Sequence, residues 1–263
     1  MKICTVNFDS EWLNIEKNLS KMEADILSIL KTQKDVDTIV FPELNTSGYV
    51  TEDSLKSVAE KKNDQLILSI KKLSKKHDIN LIGGFIEKYK GNFYNSAFVI
   101  NKKGELVAVY RKNHMFTQSA EPEFYMPGNE IIIFELDGIK CGMFICFDIR
   151  YPRLFEAYKK QGVELMFGIY AWPKGRSKKE IFKFLVKARG HENQFFVTAV
   201  NHSGKDKNAI YESDHLSVNP LGEEIGESQG NYNFVEINKS LVKEIEEFLP
   251  LKDGWKENYE YNK

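Results

Sequence analysis

Residues 142–152 read Gly-Met-Phe-Ile-Cys-Phe-Asp-Ile-Arg-Tyr-Pro, an apolar run from Met143 to Ile145 that ends at Cys146 and is followed at once by Asp148, Arg150 and Pro152. A short apolar run with charge at its exit reads as a buried strand, and proline suits the first turn of a helix, so the stretch predicts strand, turn, helix. Exits of this kind build open α/β sheets, which gather their ligands at the carboxyl ends of strands. A cysteine that serves only packing has no need of that exit.

The pattern repeats on both sides. Upstream, residues 2–8 alternate like a strand, Leu19, Met22, Ile26, Ile29 and Leu30 mark one helix face, and DTIVF at 37–41 is a strand. Leu66, Ile70 and Leu73 mark a second helix ahead of the strand INLIGGF at 79–85. Two hairpins are then expected, 94–100 with 105–111 across NKKG, and 130–136 with 139–146 across Asp137-Gly138. Downstream, residues 153–161 form a helix stopped by Gly162, and 163–169 a strand. Ser177 and Glu180 form a capping-box pattern at the head of a helix reaching about Gly190, ahead of the strand at 195–200. No linker or change of composition divides these elements, so residues 1–263 are expected to form one domain, with a C-terminal extension from about 239 that holds a short helix and a polar, aromatic-bearing end.

Composition narrows the function. The chain has 263 residues with 42% hydrophobic content, enough for a sizeable core, and its 37 basic and 38 acidic residues leave a net charge of -1. A nucleic-acid partner is therefore not expected, and a small polar molecule is. No signal-like or membrane-length apolar run is present, which predicts a soluble, cytoplasmic protein. The three cysteines, Cys4, Cys141 and Cys146, are expected to be free thiols. Cys141 lies five positions before Cys146, on the opposite strand face, and Cys4 lies inside the first strand, so both are expected in the core. No His-Glu-x-x-His pattern or Cys/His cluster occurs, and neither a metal nor another cofactor is expected.

A thiolate nucleophile needs a base for its proton and a cation or hydrogen-bond donors for the developing oxyanion. Two other strand ends offer them. Glu43 follows an apolar strand and a proline in IVFPELNTSGY, where a buried carboxylate is costly unless employed. Arg111-Lys112 ends a hairpin strand in VAVYRKNHMF, and alternation lets only one of the pair point inward. Arg189 and Glu192 in ARGHEN sit at i and i+3, the spacing of an ordinary surface ion pair.

Glu43 in FPEL, Lys112 in YRKNHMF and Cys146 in CFDIRYP together resemble the Glu-Lys-Cys triad of the nitrilase superfamily of carbon–nitrogen hydrolases, and GGF at 83–85, YMPGN at 125–129, KARGHENQ at 187–194 and NPLGE at 219–223 are similar to family segments in the same order. The resemblance implies a four-layer α-β-β-α sandwich, paired into homodimers or larger homo-oligomers through helices. It implies attack by Cys146 on an amide or nitrile carbon, proton handling by Glu43, and oxyanion stabilisation by Lys112 with the backbone N–H of Phe147. Glu121, six residues before Pro127, resembles the family's second glutamate, with Glu123 the competing position. Arg189 and Glu192 would then buttress the sheet or a dimer interface.

Within the superfamily, KNHMF, CFDIRYP and YAWPKGRS are most similar to the omega-amidase branch, which removes the terminal amide of keto-acid amides such as 2-oxoglutaramate. Such a substrate needs a distal cation, for which Arg150, Lys174 and Arg176 are candidates, and Tyr49, Tyr170 and Trp172 are candidates to wall an apolar slot. Rival readings are a nitrilase or N-carbamoyl amide hydrolase, a Cys-His hydrolase using His114 or His215, and a catalytically silent interaction module.

The Arg111-Lys112 pair gives a direct test. A compact ammonium approaches an oxyanion as a point charge, whereas arginine spreads its charge over a planar fork. Lys112→Arg is expected to fold normally by circular dichroism yet lose about a hundredfold or more in turnover, as for one lost oxyanion donor. Near-normal turnover in that variant, or a damaging Arg111→Ala, would reverse the assignment of the inward residue.

Overall fold

The computed structural model describes residues 1–207 and 209–256, and their side chains except at 57 and 60–64. The first half runs β1 (Lys2–Val6), α1 (Ile15–Thr32), β2 (Thr38–Val40), α2 (Leu55–His77), β3 (Asn80–Tyr89), β4 (Asn92–Ile100), β5 (Leu106–Arg111) and the one-turn α3 (Glu121–Phe124). The second half runs β6 (Ile133–Leu136), β7 (Ile139–Ile145), α4 (Pro152–Lys160), β8 (Leu165–Tyr170), α5 (Lys178–Asn193), β9 (Phe196–Asn201), β10 (His215–Val218), β11 (Glu224–Ile225), β12 (Glu227–Gln229), β13 (Tyr232–Glu236) and α6 (Ser240–Phe248).

These strands form two sheets, one in the order β12-β13-β1-β2-β3-β4-β5 and the other β11-β10-β9-β8-β7-β6. Their inner faces meet in one apolar layer, in which Ile3, Val40, Ile82 and Val99 of the first sheet pack with Met143, Ile145 and Ile169 of the second. On the outside, α1 and α2 cover the first sheet through Met22, Ile26 and Ile70 against Ile39, Leu81 and Phe98. Phe155 of α4 and Phe182 of α5 cover the second, packing on Phe144 and Tyr170. The expected α-β-β-α sandwich is thus formed. Among the described residues no helix is long and apolar enough to cross a membrane.

Some elements differ from the expectation. β3 continues past Phe85 and pairs with β4 along its whole length, turning through Lys90 and Gly91, both at positive φ. Strands β10 to β13 carry no long apolar run and escape a periodicity reading. The capping box at Ser177 does not form: Ser177 has a φ of 58°, outside the extended geometry of a side-chain cap, and its side chain caps nothing. The tail does not hang loose up to Trp255. Glu246 pairs with Lys159 (2.5 Å), and the Gln194 side-chain amide donates to the Leu249 carbonyl (2.6 Å). Residues 257–263 lie outside the described residues.

Three features of the first sheet fix the ends of its strands. Pro42 has no N–H, so the ladder of β2 stops there, and Leu44 turns the chain at a φ of 49°. Gly84 of β3 closes on that turn: its N–H donates to the Pro42 carbonyl (3.1 Å) and the Asn45 side chain (2.8 Å). Between β4 and β5 the pairing runs from Ser96–Arg111 to Val99–Ala108 and then skips Val107 to reach Ile100–Leu106, a bulge.

A side chain at Gly84 has no room, because its first carbon would lie 2.0 Å from the Leu44 nitrogen and 2.9 Å from the Glu43 Cα. Gly84→Ala is expected to destabilise the fold by about 1–3 kcal/mol or more and to lower activity by displacing Glu43. Thermal unfolding together with turnover measurements checks this; an unchanged midpoint would mean that the turn yields without strain.

Candidate active site

The site is assembled where β2, β5, β7 and β8 end. Glu43 is held in the turn after β2. Lys112 continues the β5 ladder by one residue, its N–H donating to the Asn95 carbonyl (2.9 Å) while its own carbonyl accepts from Gly128 (2.7 Å). Arg111 points the other way, as alternation requires, and forms a two-pronged pair with Glu87 (2.7 and 2.6 Å) under the rings of Tyr89 and Tyr94. Lys112 is therefore the inward residue.

Its ammonium donates to Glu43 Oε1 (2.9 Å) and to both oxygens of Glu121 (2.8 and 2.9 Å), with all three side chains fully buried. Glu121, at the head of α3, also accepts from the Phe116 N–H (2.7 Å), whereas Glu123 is exposed. The geometry thus selects Glu121 over Glu123. The Asn95 side-chain amide bridges the two acids, donating to Glu43 Oε1 (2.6 Å) and Glu121 Oε1 (2.8 Å). The Ala171 N–H donates to Glu43 Oε2 (2.6 Å), and the His202 ring nitrogens face the carbonyls of Glu43 (2.5 Å) and Phe8 (3.1 Å).

Cys146 follows β7 at a φ of 45°, opening a single helical turn from Cys146 to Arg150. Two side chains brace this strained corner. Asp148 accepts from the N–H of Ile145 (3.0 Å), the hydroxyl of Tyr110 (2.8 Å) and the N–H of His114 (2.9 Å). Arg189 reaches under the turn to the Ile149 carbonyl (3.0 Å) while holding Glu192 (2.6 Å), so this pair is no ordinary surface bridge: Arg189 is buried. Cys4 and Cys141 are buried free thiols within strands, and neither belongs to the wall of the cavity that Cys146 lines.

The four ionisable groups perturb one another. Burial raises the Glu43 carboxyl, Lys112 pulls it down and Glu121 pushes it up, with a raised value as the result. Burial works against the Lys112 charge, but the two carboxylates outweigh it and hold the ammonium well above its ordinary range. Burial pushes the Cys146 thiol well up, and Glu43 adds to this while Lys112 opposes it. The site at rest therefore favours a neutral thiol and a charged ammonium, with Glu43 a stronger base than an ordinary carboxylate.

Lys112 and Cys146 face a cavity of about 240 Å³ that is also walled by Tyr49, Phe116, Ser119, Phe147, Arg150, Trp172, Lys178 and Tyr211. Of the substrate-binding candidates, Tyr49, Phe147, Arg150 and Trp172 belong to this wall. Tyr170 does not: as the last residue of β8 it points to the helix-covered face, 4.9 Å from the Phe182 ring, and its neighbour Ala171 takes the cavity side. Lys174 pairs with Glu212 (3.1 Å) and Arg176 is exposed, and neither reaches the wall. Lys178 reaches it instead. The Cys-His alternative lacks its geometry, since His114 engages Asp148 (2.7 Å) and His215 engages Asn7 (3.0 Å) and Ser228 (2.9 Å), outside the wall.

The family profile described as carbon-nitrogen hydrolase matches residues 2–233, and the chain belongs to this family. Among curated relatives, the 2-oxoglutaramate amidase of Bacillus subtilis strain 168 is 31% identical over 254 residues, covering 95% of this chain and 96% of that protein. The omega-amidase NIT2 of Danio rerio is 29% identical over 257 residues, covering 90% and 91%. In fold, the chain matches Saccharomyces cerevisiae Nit3, a member of branch 10 of the nitrilase superfamily, with a TM-score of 0.86, 23% identity, and 95% and 94% of the two chains covered.

Asn95 and His202 gave no sequence signal. Asn95 sits within an alternating strand, and its only legible mark is a polar side chain that must point into a buried layer. Asn95→Leu keeps the volume but removes the donor shared by two acids, and kcat is expected to fall about ten- to a hundredfold, the effect of a lost hydrogen bond to charged groups. Steady-state kinetics on a variant with native circular dichroism checks this, and an unchanged kcat would show that Lys112 alone holds both acids.

Proposed function

We propose that this amide-hydrolysing enzyme uses Cys146 as nucleophile, Glu43 as general acid and base, Lys112 as the positive partner of the oxyanion and Glu121 as the group that positions Lys112, on short monoamides of the 2-oxoglutaramate type. The observation that carries the reading is the buried Lys112 ammonium, bonded to both acids and lining the same cavity as Cys146. The substrate class is supported by the relatives named for 2-oxoglutaramate amidase and omega-amidase activity.

The chemistry follows from the resting charges. A neutral thiol beside a carboxylate of raised pKa transfers its proton as the sulfur attacks, so the S–C bond forms while Glu43 becomes protonated. The former carbonyl oxygen becomes an oxyanion, met by Lys112 and by the N–H of Phe147, which lies in a first helical turn whose N–H groups have no intrahelical acceptor. Glu43 returns its proton to the nitrogen, the C–N bond breaks and ammonia leaves a thioester. Water then attacks, Glu43 takes its proton, and the acid is released as the thiol reforms. Glu121 takes no part in the proton transfers and holds the Lys112 ammonium through both of its oxygens.

The enzyme is further read as one hydrolase domain with a C-terminal extension from about 239, working in the cytoplasm without a cofactor and as a homodimer. Exposed Phe184 and Phe248 support a second copy packing on the helical layer.

An ammonia-release screen over monoamides, nitriles and N-carbamoyl compounds tests the reaction, with the monoamides expected fastest. Intact-protein mass spectrometry during turnover is expected to show an acyl adduct on Cys146 and none on Cys4 or Cys141. Acylation mainly at either of those, or faster nitrile turnover, would overturn the assignment.

A further inference from the structure

The charges in the cavity wall do not balance. Lys112 is compensated by Glu43 and Glu121 behind it. Arg150 and Lys178 are not, for no Asp or Glu belongs to the wall, and among the described residues neither cation has an ion-pair partner. Lysines close by in sequence do find acids: Lys174 pairs with Glu212 (3.1 Å) and Lys179 with Asp214 (3.5 Å). The Arg150 Nε is buried and bonded to nothing.

Both cations instead lie against one ring. The Arg150 guanidinium is 5.0 Å from the centre of Trp172 and the Lys178 ammonium 4.9 Å, with Phe147 and Phe116 beside them (5.6 and 5.5 Å). An aromatic face steadies a cation without cancelling its charge. The ring itself is fixed. Its indole N–H donates to the Lys178 carbonyl (3.0 Å), and Asn201 bonds both the N–H and the carbonyl of Trp172 (2.8 and 2.9 Å). Two like charges are thus held ready on a rigid platform, at the same wall as the thiol.

We infer that Lys178, together with Arg150, seats a carboxylate at the end of the substrate remote from the scissile amide, and that Lys178 is a specificity-determining residue of this enzyme. The inference deepens the amidase reading and rests on it for the position of the amide. A fixed pair of cations compensated by a substrate anion selects that anion over a neutral isostere. The same field disfavours a monoamide that carries an ammonium beside its carboxylate, because the wall offers that ammonium no acid. A 2-oxo acid monoamide is therefore preferred to the corresponding 2-amino acid.

Binding can be measured apart from turnover. In the full chain carrying Cys146→Ala, glutarate and its neutral diamide, pentanediamide, are titrated by calorimetry. Glutarate is expected to bind about tenfold or more tightly, as for a charge-assisted contact, with an advantage that shrinks as salt is added. Lys178→Gln is expected to remove most of that advantage, and Lys178→Glu to transfer it to 4-aminobutanamide. Equal affinity for glutarate and the diamide, or a Lys178→Gln loss that is the same for both, would overturn the inference. Failure of the amidase reading has a different signature: no ammonia from any amide, with the Lys178-dependent preference for glutarate intact, which would keep the seat and remove the chemistry.

Discussion

One buried ammonium between two buried carboxylates is the constraint that the rest of the site answers to. Removing one partner of a buried ion pair costs about 3–5 kcal/mol, because the remaining charge is left without solvent or counterion. Two acids share one ammonium, and the structure meets their remaining oxygen capacity with neutral donors: the Asn95 amide, the Ala171 N–H and the Phe116 N–H. Each comes from a different part of the chain, so the three charges fasten β4, the exit of β8 and the segment before α3 to one point. Burial, with Glu43 adding to it, keeps the proton on the Cys146 thiol at rest, which leaves that proton to Glu43 at the moment of attack.

The sandwich exists, in functional terms, to bring strand ends from two sheets together. Glu43 and Lys112 leave the first sheet, Cys146 and Ala171 the second, and neither sheet alone holds both a base and a nucleophile. The apolar layer between the sheets sets their spacing, and close packing makes that spacing stiff. Arg189 and Asp148 then hold the corner at Cys146 from below and from the side.

Strand ends with a charge at the exit were legible in the sequence, which is why Glu43, Lys112 and Cys146 stood out. The resemblance to a known family then supplied Glu121 and the four layers. Periodicity reports which face of a strand is buried but not which strand lies opposite, so the partition into two sheets lay beyond it. Tyr170 was misplaced for a related reason, since a one-residue difference at a strand end exchanges the two faces and the cavity side fell to Ala171. Lys178 was hidden in GRSKKE, where a lysine at a helix start looks solvated, and Asn95 was hidden because only the assembled core shows two acids converging on its amide.

The bulge at Val107 separates the hairpin of β4 and β5 into two stretches of different phase. On the side of the site, the ladder from Ser96–Arg111 to Val99–Ala108 decides that Lys112 faces inward and Arg111 outward. On the side of the turn, Ile100 pairs with Leu106, and Asn101 bonds Glu105 and Gly104, one residue out of phase with that ladder. The bulge thus acts as a slip joint: a residue gained or lost near the turn over evolutionary time can be taken up there, while the choice between two adjacent basic side chains stays where the ladder sets it.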